Sequence, residues 1–129
     1  MRIMMVVKAS GQSEVAMLQR AEVRLAAMGK YNEELQKAGV LRDVAGLKPT
    51  SAAVRVRFAS GKRTVIDGPF TESKELIAGY WVIQVKSREE AIEWAKRIPA
   101  EICAIEEVEL RPFFEPEDLA PGGALGAGS

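Results

Sequence analysis

The sequence contains no histidine. That absence removes imidazole acid–base chemistry, a Ser-His-Asp triad and the commonest zinc ligand sets together. There is one cysteine, Cys103, so no internal disulfide can form. Neither sign of charge is in excess, because 18 Lys plus Arg balance 18 Asp plus Glu. Nucleic-acid-binding chains usually carry a basic surplus that displaces counterions from phosphates, so nucleic acid is not the expected partner. A long apolar run is also missing: Ile3 to Val7 stops at Lys8, too short for a signal peptide or a membrane span. The reading is a cytoplasmic chain without membrane contact. What remains is 129 residues, 47% hydrophobic and 28% charged, which suits one folded domain and leaves too little for a second core.

Hydrophobic periodicity divides the chain into elements. Ile3 to Val7 reads as a buried first strand ended by Lys8 and the turn-forming Ser10 and Gly11. From Gln12 to Ala38 the apolar positions Val15, Leu18, Ala21, Leu25, Met28, Tyr31, Leu35 and Ala38 recur at steps of three and four, one face of a helix ending at Gly39. Unbroken, it would run about 40 Å at about 1.5 Å per residue, too long for the domain, so a break is expected at Gly29. Leu41 to Ser51, with Gly46, Pro49 and two hydroxyl residues, reads as a loop. Val54, Val56 and Phe58 alternate with Arg55 and Arg57, then Ser60 and Gly61 turn the chain into Thr64, Val65 and Ile66, which predicts a hairpin. Asp67-Gly68-Pro69-Phe70 ends it, and 71–77 reads as a polar connection or a short helical turn.

Gly79 to Lys86 predicts a strand with Trp81, Ile83 and Val85 on one face and Tyr80 and Val82 on the other. Ser87 and Glu90 form the pattern of a capping box for a helix that Pro99 stops, and Glu107 to Arg111 reads as a last strand. One domain over 1–115 is expected, with a flexible tail over 116–129 that is Gly/Ala/Ser-rich from Pro121. The element order implies an α+β, ferredoxin-like split βαβ sandwich with an added hairpin and an antiparallel-rich sheet. Two helices cover one face of such a sheet, while the first strand and the Gly79 strand are apolar on both. Pairing of two copies through their sheet faces would cover the second face, so a homodimer is expected, the alternative being that the long helix and tail curl round to cover it.

The run 63–81, with Asp67-Gly68-Pro69-Phe70, Glu72, Lys74 and Glu75 inside it, resembles the DGPF-domain members of the YCII-related family. Glu90-Ala91-Ile92-Glu93-Trp94-Ala95, Tyr31-Asn32-Glu33-Glu34-Leu35, Ala38-Gly39-Val40-Leu41 and Glu109-Leu110-Arg111-Pro112-Phe113 extend the likeness over nearly the whole chain apart from the tail. The resemblance implies a ferredoxin-like fold in a dimeric α+β barrel. It also implies correspondence of Asp67 to the acid of a His and Asp site proposed in some relatives. Many members carry His in a Gly-Leu-His-Pro loop where this chain has Gly46-Leu47-Lys48-Pro49.

Asp67 is the candidate acid or base, since a carboxylate at the end of a hairpin strand can project into a cleft. The competing reading is an Asx-type turn, with Gly68 supplying unusual dihedrals and Pro69 fixing the exit. Lys48, Arg55, Glu72, Lys74 and Tyr80 are candidate ligand contacts, each with an ordinary solvated or packing role as the alternative. No cofactor and no metal are expected. The leading reading is a homodimeric module that binds a small molecule near Asp67. The alternatives are a lyase- or isomerase-type enzyme using Asp67, with Lys48 or Arg55 steadying an anion, and a regulatory partner linked to transcription.

Overall fold

The structure is a computed structural model that describes residues 1–70 and 75–119. Strand β1 (Arg2–Ala9) and strand β5 (Leu76–Gln84) form the central antiparallel pair, with Met5 opposite Trp81 and Ile3 opposite Ile83. Those four side chains are almost fully buried, and alternation places them all on one face. Strands β2 (Leu41–Gly46) and β6 (Val108–Pro112) flank the pair, giving the order β2-β5-β1-β6, all antiparallel. This is the order of a ferredoxin-like α+β sheet, with the hairpin of β3 (Val54–Ala59) and β4 (Lys62–Asp67) inserted between its second and third strands.

The predicted long helix is two helices, α1 (Gly11–Met17) and α2 (Ala21–Lys37). Ser10 caps α1: its hydroxyl accepts from the Ser13 amide at 3.2 Å, and its own amide donates to the Ser13 hydroxyl at 2.7 Å. The break falls at Leu18–Arg20, where Arg20 turns left-handed at φ +53°, and not at the expected Gly29. A glycine inside a helix costs about 1 kcal/mol relative to alanine. That is too little to interrupt α2 while Tyr31 and Leu35, one turn apart, are buried against the sheet. The predicted end at Gly39 is found as a Schellman motif: Gly39 has φ +74°, its amide donates to Gln36 O, and the Val40 amide donates to Leu35 O.

Leu41–Gly46, expected to be loop, is the edge strand β2. Its residues are mostly exposed and follow no alternation, so the strand exists through its ladder to β5 and leaves little local signature. The hairpin is as predicted, with Ser60 and Gly61 both at positive φ, the geometry of a two-residue type I′ turn. Strand β5 begins at Leu76, three residues before the expected start. Helix α3 (Arg88–Lys96) is capped by the Ser87 hydroxyl accepting from the Glu90 amide at 3.1 Å; the Glu90 carboxylate completes the box one residue early, on the Lys86 amide. Of the expected tail, Pro116–Leu119 forms the short helix α4, and residues 120–129 lie outside the described residues.

Helices α2 and α3 cover the inner face, where the Tyr31 hydroxyl donates to Trp94 O at 2.7 Å and the Tyr31 ring meets Trp81 edge-on, 5.3 Å between centroids. On the outer face Val6 and Val82 are only 8% and 9% exposed, with Met4 and Tyr80 half-buried beside them. The outer face is thus less bare than the sequence suggests, because its central side chains lie between flanking strands of the sheet. The hairpin carries the barer surface: Val54, Val56, Phe58 and Val65 share one face, all exposed, Phe58 by 69%. No described helix is long and apolar enough to cross a membrane.

Gly68 is required by contact and not by dihedral freedom: a Cβ there would lie 1.8 Å from Thr50 O and 3.1 Å from Ala53 O, both backbone. Gly68→Ala is therefore expected to lower the unfolding free energy by at least about 2 kcal/mol, the range of overpacked buried sites, read as a reduced denaturant midpoint. A midpoint unchanged from wild type would contradict the close approach.

Candidate functional site

The Asp-Gly-Pro-Phe run is held from both sides. The Gly68 amide donates to Ala53 O at 2.8 Å, and the Phe70 amide donates to the Thr50 hydroxyl at 3.1 Å. That hydroxyl in turn donates to Glu14 Oε2, and the Thr50 amide donates to Glu14 Oε1, both at 2.9 Å. Glu14 is buried, and the backbone and hydroxyl donors of Thr50 occupy both of its oxygens. The Arg55 guanidinium stacks over the Phe70 ring, 3.7 Å from its centroid. Helix α1, the Thr50 turn and the signature segment are thereby tied into one unit.

Beside this unit lies an open cleft of about 460 Å³ between α1–α2 and the β2–β5 side of the sheet. The helices and the break between them contribute Glu14, Met17, Leu18, Ala21, Arg24, Leu25, Met28 and Asn32 to its lining. The sheet side contributes Val7, residues 44–49 and residues 78–81, and the buried Cys103 and Ile105 complete it. Two features of the sequence shape its walls. Gly79 lets β2 come close, since a Cβ on it would lie 2.7 Å from Ala45 O, and the left-handed Arg20 separates α1 from α2. The lining is mostly apolar, and Trp81 Nε1 is fixed by donating to Asn32 Oδ1 at 2.6 Å. Such a combination of size, apolar walls and few polar groups is typical of small-molecule sites.

The structure distributes the predicted residues unevenly. Lys48 lines the cleft and is exposed. Tyr80 borders it, but strand alternation puts its ring on the outer face, where its hydroxyl donates to Asp43 Oδ2 at 3.2 Å; that bond and the Asp43 charge raise the pKa of the phenol. Arg55 lies on the hairpin, against Phe70. Asp67 ends β4, is exposed, and is not among the residues lining the cleft. Glu72 and Lys74 lie outside the described residues.

Sequence reasoning passed over Arg24, Glu14 and Asn32. Arg24 carried a readable signal: three residues after Ala21 and four before Met28, it interrupts the apolar stripe of its helix with a charge. Glu14 and Asn32 carried none, because their partners, Thr50 and Trp81, are far away in the chain.

Among the described residues no group of three or more His, Cys, Asp or Glu side chains is placed to hold a metal ion. Burial pushes the Cys103 thiol up, and the nearby Arg24 charge only partly offsets this. Cys103 is accordingly expected to react slowly with iodoacetamide at pH 7 and to accelerate only above the ordinary thiol range. Reaction at neutral pH as fast as that of free cysteine would contradict the burial.

Comparison with known proteins agrees with the likeness read from the signature. A family model described as YCII-related domain matches residues 1–114. An uncharacterised protein of Rhizobium meliloti (strain 1021) is 36% identical over 85 residues, which cover 64% of this chain and 68% of that one. With its match running from β1 through β6 and including the signature segment, the chain belongs to the YCII-related family.

Proposed function

We propose that the protein is a homodimeric small-molecule-binding module of the DGPF subgroup and that its ligand occupies the cleft between α1–α2 and the β2–β5 edge. The observation that carries this reading is the cleft itself: about 460 Å³ of apolar-lined space left unfilled by the chain's own side chains, with exposed Leu18, Leu25 and Leu47 around it. The lining favours binding over turnover. Both Glu14 oxygens are engaged by Thr50, and the Cys103 thiol is held away from the thiolate, so neither group is poised to move a proton. In this reading Asp67 and its neighbours brace the hairpin against the Thr50 turn, and Lys48 lends positive charge to the cleft.

The dimer joins the outer sheet faces, centred on Met4, Val6, Tyr80 and Val82. Support comes from the apolar character of that centre and from the hairpin, whose exposed Val54, Val56, Phe58 and Val65 form an isolated two-stranded ribbon of a kind that is marginal alone in water. A second copy can cover both.

The neutral fluorophore N-phenyl-1-naphthylamine is expected to bind with a stoichiometry of one per subunit. Ala21→Trp, which puts bulk at an exposed lining position, is expected to weaken binding about tenfold with little change in melting temperature. Absence of saturable binding, or full binding by Ala21→Trp, would overturn the cleft reading. Light scattering should give twice the subunit mass at micromolar concentration, and Val6→Glu on the outer face should return it to one. A single-subunit mass for the wild type at millimolar concentration would overturn the dimer.

A further inference from the structure

We propose that the ligand of the cleft is a carboxylate with an apolar body and that the Arg24 guanidinium is its anchor. The inference rests on the cleft being a binding site and names what that site selects. Arg24 lines the cleft, and its Nε is shut off from solvent with no hydrogen-bond partner. Buried N–H groups are nearly always paired, so an orphan on a charged group marks a missing acceptor. Three other arginines have a carboxylate acceptor: Arg2 faces Glu115, Arg97 faces Glu34 and Arg111 faces Glu109. Among the described residues no carboxylate pairs with Arg24.

The two acidic groups in the cleft wall cannot fill the gap. Glu14 is committed through both oxygens to Thr50. Cys103, which packs its sulfur 3.9 Å from Arg24 O, stays a neutral thiol because it is buried. No described side chain fills the gap, and the missing acceptor is assigned to the ligand.

The surroundings define its chemistry. A carboxylate meeting the guanidinium along its Nε–Nη edge, once the side chain turns that edge to the cleft, makes two parallel charge-assisted bonds. Met17, Leu25, Met28 and Ile105 lower the local dielectric, strengthening that pair and receiving an aromatic or aliphatic body in place of water. Inorganic anions would satisfy the guanidinium but leave the apolar walls wet. Lys48, exposed on the lining of the same cleft, adds long-range attraction for an anion without being needed as its direct partner.

Matched probes isolate the anchor: 2-naphthoate against 2-naphthamide, and decanoate against decanamide, each titrated calorimetrically. The expected result is a carboxylate preference of about tenfold or more in the wild type, falling to about twofold or less in Arg24→Met and partly kept in Arg24→Lys. Lys48→Met should keep most of the preference. Equal affinity of acid and amide in the wild type overturns the anchor while leaving the cleft reading standing. So does a preference that survives in Arg24→Met, or one that disappears in Lys48→Met instead. No binding by any of the four probes overturns both readings. The wild-type acid and amide comparison decides the matter even if an Arg24 variant does not fold.

Discussion

Everything in this domain hangs on the β1–β5 ladder. Ile3 and Met5 oppose Ile83 and Trp81 across it, and those four side chains supply the floor on which Tyr31 and Leu35 of α2 are buried. Because β5 is central, its small residue Gly79 sets how near the edge strand β2 can approach. The same strand presents Trp81 to the helices and Tyr80 to the outer face, so one ladder positions both the cleft and the surface assigned to the second copy. Weakening this ladder would loosen the core and the site together.

The family signature works at a distance from the cleft. Gly68 allows the chain to press against the Thr50 and Ala53 carbonyls, and the Phe70 amide continues the chain of bonds through Thr50 to Glu14. Glu14 stands at the meeting of the two regions, lining the cleft while holding the loop that roots the hairpin. A ligand in the cleft and a partner over the hairpin would therefore act on adjacent ends of one bonded unit. The loop before the hairpin places Lys48 in the cleft wall.

Elements with their own local chemistry were legible in the sequence. The Ser10 turn, the Gly39 stop, the Ser60-Gly61 hairpin turn and the Ser87 cap each need only a few neighbouring residues, and each is found where expected. Features that depend on distant partners were not legible. Strand β2 has no pattern of its own, and the helix breaks at Arg20, an ordinary helix former, while Gly29 stays helical. The sequence pointed to the signature as the site, because its residues are unusual. The cleft is built mostly from ordinary apolar residues, and a space between them leaves no trace in a one-dimensional pattern. Apolar character on both faces of a strand likewise overstated how much of the outer face is bare, since shielding by neighbouring strands is a property of the sheet.

The sequence has no histidine, and the charged or thiol side chains lining the cleft include a guanidinium, an ammonium, an engaged carboxylate and a buried thiol. Of these, Arg24 alone is both buried at Nε and unpaired among the described residues, and the account turns on it. The most direct measurement is the ¹H–¹⁵N signal of the arginine Nε–H groups, assigned to Arg24 by its loss in Arg24→Lys. The account predicts a large shift of that signal when 2-naphthoate is added and little change with 2-naphthamide. A signal that stays in place while the Trp81 indole N–H responds to the acid would contradict it.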